Sequence, residues 1–305
     1  MINLSTYAGV KSILEQHGLK ARKSLGQNFL TDPHVRQKII RAANLTRSDC
    51  VLEIGPGIGG LTQALAAEAG HVLAVEIDKG LAAVLQDIFM TNTEIAHSSN
   101  VEIVHSDILD YDIAGHLSRF AEQGMRHKVV ANLPYYVTTP IVMHLLENFS
   151  CNEKGGIDSI TVMVQREVAE RMVSSPGNAA YGALSLAVQY HADVSIAAYV
   201  PPNCFFPRPK VGSAVVHMDI LPQPRVNAPR KELFAIIRAG FGQRRKTLVN
   251  ALFSAELYPL SKAQIGDIIS ECGFAKNAAH LRGEELTLVE WARLLEALER
   301  EGMPL

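Results

Sequence analysis

Near-continuous apolar runs recur along the first half of the chain, at 51–55 (VLEIG), 72–77 (VLAVEI), 101–104 (VEIV), 128–131 (KVVA) and 160–164 (ITVMV). They are short and rich in branched residues. Stretches of helical spacing lie between them, such as 60–69 (GLTQALAAEA) and 79–90. Strands that are apolar on both faces, alternating with helices, predict a parallel sheet covered on both sides. The expected fold class is therefore α/β, a doubly wound, mostly parallel sheet.

The pattern changes at 194–220. Prolines there preclude a helix, and a loop followed by a strand at 211–220 fits, in a manner compatible with a hairpin at the sheet edge. Three prolines in 221–229 (LPQPRVNAP) read as a linker. Helical spacing resumes with Leu233, Phe234, Ile236, Ile237, Leu248, Val249 and Leu252, interrupted at Gly240 and Gly242. A last helix is announced by Thr287 and Glu290 as a capping box, with Leu286 and Trp291 as a hydrophobic staple. Trp291, Leu294, Leu295 and Leu298 then form its apolar stripe. The expected organisation is a sheet domain at 1–221, a linker at 222–230 and a small all-helical domain at 231–305.

A length of 305 residues agrees with two domains, each able to bury a core. No apolar run approaches the ~20 residues of a membrane span. The first twenty residues lack a basic region followed by an apolar one, so the expected compartment is the cytoplasm. Cys50, Cys151, Cys204 and Cys272 are scattered and form no CxxC pair, and the histidines show no ligand spacing. Neither a disulfide framework nor a metal site is expected. The net charge of −2 does not announce a nucleic-acid binder. Basic residues are nevertheless grouped at Arg22-Lys23, Arg126-His127-Lys128, Arg208 with Lys210, and Arg244-Arg245-Lys246. Each group is either a phosphate-binding face or simply solvated surface.

The first apolar run leads into Gly55-Pro56-Gly57-Ile58-Gly59-Gly60 and then a helix. Gly55, Gly57 and Gly60 satisfy GxGxxG, whose glycines allow a tight turn and close approach of a ligand to the helix N-terminus. Glu76 ends the next strand, where a carboxylate can accept both hydrogen bonds of a ribose diol. These features indicate an adenosine-containing cofactor, with a nicotinamide dinucleotide and S-adenosylmethionine both admissible. Asp107 follows the third strand. It is a candidate acceptor for an adenine amine of the cofactor, or else a helix N-cap.

The most informative segment follows the fourth strand: Asn132-Leu133-Pro134-Tyr135. The pattern Asn or Asp, apolar, Pro, aromatic suits methylation of an amine conjugated with a flat ring. The lone pair of such an amine is delocalised and poorly nucleophilic. Two acceptors aimed at its hydrogens, the Asn132 side-chain oxygen and a backbone carbonyl such as that of Leu133, favour a pyramidal nitrogen. Pro134 stiffens the loop. Tyr135 offers a face for a flipped base. No general base is required, because proximity and alignment carry most of the acceleration.

These motifs, together with LGQNFL (25–30), EIGPGIGGLT (53–62), VEID (75–78), SDIL (106–109), NLPYY (132–136), QREVAERM (165–172), YGALS (181–185), FFPRPKVGSAVV (205–216) and FGQRRKTLVNAL (241–252), resemble the KsgA (RsmA) family of ribosomal RNA adenine dimethyltransferases over nearly the whole chain. The erythromycin-resistance methyltransferases share the cofactor segment and the Asn-Leu/Ile-Pro-Tyr loop. The GQRRKTL segment and the closing RGEELTLVEWARLLEAL look more like the KsgA family. The resemblance implies a Rossmann-like class I methyltransferase fold with S-adenosylmethionine as cofactor. It places Asn28 and Leu30 in the cofactor pocket beside Gly55, Gly57, Glu76, Asp107 and Asn132. It makes Phe205 the second aromatic at the target base, with Phe206 as the rival candidate. The implied reaction is dimethylation of N6 on two adjacent adenosines in a hairpin near the 3′ end of 16S ribosomal RNA, during small-subunit biogenesis. Arg244, Arg245 and Lys246 are then expected on a rigid helix that positions the RNA backbone. The expectation is a monomer that needs no metal and no membrane. A nicotinamide oxidoreductase leaves NLPYY without a role. A catalytically dead RNA-binding relic conflicts with the intact Asn132, Pro134 and Tyr135.

Overall fold

A computed structural model describes residues 4–91, 99–150, 156–243, 246–275 and 277–302. The chain forms two compact units, one of residues 1–169 with 193–222 and the other of 170–192 with 223–305.

The first unit begins with α1 (Tyr7–Gln16), and a two-residue strand β1 (Phe29–Leu30) precedes α2 (Pro33–Ala43). Asp32 caps α2 by accepting from the backbone N–H of His34 and Val35. The alternation foreseen from the apolar runs follows. It comprises β2 (Asp49–Ile54), α3 (Gly60–Glu68), β3 (His71–Glu76), α4 (Lys79–Gln86), β4 (Val101–His105), α5 (Ile113–Ala121), β5 (Arg126–Asn132), α6 (Thr138–Phe149) and β6 (Ile157–Gln165). After α7 (Arg166–Val173) and α8 (Ala183–His191), the sheet is completed by β7 (Ala192–Val200) and β9 (Ser213–Ile220). Between these two lies the short β8 (Phe205–Phe206), which pairs antiparallel with β1.

The seven-stranded sheet runs β4-β3-β2-β5-β6-β9-β7. Strands β2 to β6 pair in parallel, and β9 joins β6 antiparallel. Every residue of β2 is buried, as expected of a central strand with both faces covered. The chain order reverses between β2 and β5, which opens a crevice at their carboxyl ends.

Several features differ from the sequence reading. Residues 192–200 form an edge strand rather than a loop, and its exposure alternates along most of its length. A helix that the apolar pattern did not announce, α1, precedes the segment 22–30. Residues 170–192 belong with the C-terminal unit rather than the sheet domain. There Tyr181, Leu186 and Tyr190 share a core with Ile237, Leu294 and Leu298. Finally, the Arg126-His127-Lys128 group is largely tied up within the fold: Arg126 pairs with Asp49 at 3.0 Å and His127 is buried. Lys128 is buried, donates to the carbonyls of Ala43 and Asn44, and pairs with Asp49 at 3.2 Å.

The second unit is helical, with α9 (Arg230–Gly242), α10 (Leu248–Ser254), α11 (Lys262–Glu271) and α12 (Leu288–Glu301). Thr287 and Glu290 form the foreseen reciprocal cap on α12. Gly240 does not interrupt α9. It sits inside the helix because a Cβ there would lie 2.4 Å from the Trp291 ring, which is fully buried. Among the described residues no helix is long and apolar enough to cross a membrane.

Candidate active site

The crevice between β2 and β5 holds a pocket within the first unit. Its floor is the turn after β2. Gly55, Gly57 and Gly59 all have positive φ, near 68°, 65° and 87°, in the left-handed region that side chains disfavour. At Gly57 an added Cβ would also lie 3.0 Å from the Phe29 ring, so the turn and the 25–30 segment close on each other. Gly60 serves differently: the Leu4 carbonyl approaches its missing Cβ to 2.9 Å.

Glu76 stands at the end of β3 and faces this turn. Its Oε2 accepts from Gly57 N at 3.1 Å and its Oε1 from Asp78 N at 2.8 Å. Two backbone donors thus hold the carboxylate at the pocket wall. Burial pushes its pKa up to about 7, only partly opposed by those hydrogen bonds. A second acid, Glu53, also lines the pocket and is 1% exposed. Among the described residues none donates a hydrogen bond to its Oε2. Burial pushes its carboxyl up to about 8, the Thr62 hydroxyl opposing and the Glu76 charge adding to the rise. The sequence reading passed over Glu53, although an acid inside an otherwise apolar strand is itself a signal, because burying a carboxylate is costly unless something compensates it.

One side of the pocket is a strap formed by 25–30. Gln27 donates to Asp78 at 3.1 Å, and Arg22 pairs with the same carboxylate at 3.4 Å. Asn28 donates from its side chain to the Gly26 carbonyl, which tightens the turn. At the other end Asn132 Nδ2 donates to the Asn28 carbonyl at 2.9 Å. That bond commits the amide's nitrogen to the strap and leaves its oxygen as the acceptor available to the pocket.

The turn after β5 is locked as well. Leu133 is buried and its N–H donates to the Met163 carbonyl. The Pro134 carbonyl accepts from Val137 N and Thr138 Oγ1. The Tyr135 hydroxyl shares a 2.6 Å hydrogen bond with Ser213 Oγ at the start of β9. Burial pushes the Tyr135 phenol up.

Asn28, Leu30, Gly55, Gly57, Glu76, Asn132, Leu133, Pro134 and Tyr135 therefore converge on one pocket. Asp107 and Phe205 do not. The Asp107 carboxylate accepts from Leu109 N at 3.0 Å in a turn, and no helix begins there, since α5 is capped by Asp112. Phe205 is 4% exposed within the core, paired with Leu30 across the β1–β8 ladder. Its neighbour Phe206 is half-buried and meets Tyr7 edge-on at 5.0 Å. Arg244 and Arg245 lie outside the described residues. Lys246 is exposed in the turn between α9 and α10 rather than on a helix, its N–H bonded to the Gln243 carbonyl. Among the described residues no group of acids, histidines and cysteines is arranged to hold a metal ion.

An adenosine-type pocket that opens beside an acceptor-bearing Asn-Leu-Pro-Tyr turn on a doubly wound sheet defines a class, the Rossmann-like methyltransferases. The similarities narrow it further. The family model of ribosomal RNA adenine dimethylases matches residues 18–268, and the chain belongs to that family. It is 48% identical over 290 residues to the ribosomal RNA small subunit methyltransferase A of Lachnoclostridium phytofermentans, covering 95% of each chain. It is 42% identical over 305 residues to the protein of the same name from Alkaliphilus oremlandii, covering 99% of this chain and 100% of that one. Among solved structures it is similar to a dimethyladenosine transferase from Plasmodium falciparum, with a TM-score of 0.72, 23% identity and coverage of 89% and 98%. The 23S rRNA methyltransferase ErmE follows with a TM-score of 0.63, 24% identity and coverage of 89% and 100%. These two likenesses establish the shared fold.

Proposed function

We propose that this protein dimethylates N6 of two adjacent adenosines in a hairpin near the 3′ end of 16S ribosomal RNA, within the small subunit or its precursor, as a cytoplasmic monomer. The observation that carries the reading is the Asn132 amide, oriented by the Asn28 carbonyl at the edge of the pocket. Full-length similarity to proteins named for the small subunit supports the choice of RNA.

The pocket fits S-adenosylmethionine. Glu76 supplies acceptors for ribose hydroxyls, and Glu53, whose Oε2 has no partner among the described residues and whose carboxyl is protonated in the free protein, would be drawn to its charged form by a cationic amino-acid end. Asn28, Leu30, Gly55 and Gly57 line the rest. When bound, the cofactor supplies an electrophilic methyl group on a sulfonium. The protein's own work is on the acceptor base. Asn132 Oδ1 and the Leu133 carbonyl accept hydrogen bonds from the amine N–H groups (two for the first methyl, one for the second) and localise the nitrogen lone pair, a preorganised arrangement that stabilises charge as it develops, and the proton of the methylated amine leaves to water. The Pro134 carbonyl is already engaged twice, which favours Leu133 for that part. Tyr135, its hydroxyl tied to Ser213, presents its ring to the flipped base. Arg244, Arg245 and Lys246 contribute phosphate contacts from the second unit.

The test is incubation with labelled S-adenosylmethionine and unmethylated small subunits, followed by nucleoside analysis. The expected product is N6,N6-dimethyladenosine at two neighbouring positions. Label in another nucleoside, or none in 16S RNA, overturns the reading.

A further inference from the structure

Tyr136 follows the catalytic turn directly, yet nothing in the chemistry above uses it. It is 58% exposed, the most exposed large apolar side chain among the described residues. Exposure alone would make it an ordinary surface tyrosine. Its support is what sets it apart. Gly26, at the top of the strap, has φ near 60°, and an added Cβ would lie 3.1 Å from Tyr136 Cδ1 and 3.6 Å from Pro134 Cβ. The ring therefore rests on bare backbone, beside a proline whose own ring is fixed. The strap beneath is tied at one end to Asp78 and at the other to Asn132. The result is a flat aromatic group held from below and open above, one residue from the ring assigned to the target base. Tyr135 is anchored in the opposite manner, its hydroxyl bound to Ser213 and its ring half-buried.

We propose that Tyr136 is a stacking platform for the nucleobase next to the target adenine. The proposal rests on the RNA adenine methyltransferase reading of the pocket. When one base leaves the stack, its neighbour loses a stacking partner, and an aromatic face at the pocket rim replaces it. In a substrate with two adjacent adenines, the platform holds one purine while the other occupies the pocket. Base stacking on an aromatic side chain tolerates any base but favours purines, which offer the larger π-face. The platform therefore registers the RNA strand without reading hydrogen-bonding edges.

The competing role is mechanical: Tyr136 merely fastens the strap by apolar contact with Gly26. Leucine separates the two, since it keeps apolar contact and lacks a flat face. Steady-state kinetics on unmethylated small subunits are compared for the wild type, Tyr136→Leu, Tyr136→Phe and Tyr136→Trp, with S-adenosylmethionine affinity and Tm measured in parallel. Tyr136→Leu is expected to raise KM for subunits at least about fivefold, the lower end of what one base–aromatic stack contributes. Its cofactor affinity and Tm are expected to stay at the wild-type values. Phe and Trp should retain the wild-type KM. A second arm uses subunits reconstituted with RNA in which the neighbouring adenosine is replaced by uridine. The wild type should lose affinity for them, and Tyr136→Leu should be much less sensitive to the change. An unchanged KM for Tyr136→Leu overturns the proposal. So does a loss of cofactor affinity that matches the rise in KM, which would make the residue a strap fastener. Failure of the wild type to methylate unmethylated subunits at all counts instead against the function proposed above.

Discussion

Asn132→Ala separates the two uses of one amide. The nitrogen's bond to the Asn28 carbonyl is 2.9 Å long and partly buried. Its loss removes a neutral hydrogen bond worth about 0.5–1.5 kcal/mol of stability. In a domain of roughly 200 residues that lowers Tm by about 2–4 °C per kcal/mol. The oxygen's contribution falls elsewhere. It accepts from the substrate amine most strongly as that nitrogen becomes pyramidal, so its loss raises the barrier while the ground state changes little. Removal of one preorganised hydrogen-bonding group of this kind costs about 2.7–4 kcal/mol, or roughly 10²–10³ in turnover. The variant is therefore expected to fold, to melt a few degrees early, to bind S-adenosylmethionine within a few-fold of normal, and to turn over at least a hundredfold more slowly. Single-turnover methylation of unmethylated small subunits at saturating cofactor isolates the step, and calorimetry supplies the cofactor affinity. Turnover within a factor of ten of the wild type would refute the acceptor role. A turnover loss accompanied by an equal loss of cofactor affinity would reduce Asn132 to a strut of the pocket.

Because Glu76 has its pKa raised to about 7 in the ligand-free protein, while ribose hydroxyls favour its ionised form, S-adenosylmethionine affinity should rise as pH increases through about 7. Glu76→Ala should weaken binding about 10–100-fold at pH 8, the range for hydrogen bonds to a charged group, and calorimetry across pH checks both points. Glu53 is held near pKa 8, so between its ordinary value of 4.5 and 8 the folded protein retains a proton that the unfolded chain has lost. Stability from this group is present below the lower value and falls as pH rises toward the upper one. Glu53→Gln should therefore melt higher than the wild type at pH 8, with no such gain at pH 4. Reversing Arg244, Arg245 and Lys246 to Glu should weaken subunit binding and flatten its salt dependence without altering cofactor affinity, since fewer counterions are released. Equal salt slopes for variant and wild type would leave these side chains as solvated surface. Gly240→Ala should destabilise the helical unit by about 1–3 kcal/mol, because the new methyl meets Trp291 in a filled core, and thermal melting tests this.

Local chemistry makes much of this protein legible from its residues alone. Strands buried on both faces have nearly uninterrupted apolar runs, so β2, β3, β5 and β6 were legible together with the parallel sheet they build. Turns that need positive φ require glycine, so the Gly55–Gly60 loop was legible as a ligand-facing turn. The cap on α12 was legible because both partners lie three residues apart. Other features depend on residues far apart in sequence. Whether Phe205 faces a ligand or the core was decided by its pairing with Leu30, 175 positions earlier, which buries it. Lys128 looked like surface charge, and only the fold placed Asp49 and two carbonyls around it. Gly240 read as a helix interruption because nothing local reveals that Trp291 occupies the space a side chain would take. The orientation of the Asn132 amide belongs to the same group, since the carbonyl that sets it comes from a strap 104 residues away. Residue types and short spacings determined which chemistry this chain can perform. Tertiary contacts decided which side chains are free to perform it, because burial and hydrogen-bond partners depend on chain segments that no local pattern brings together.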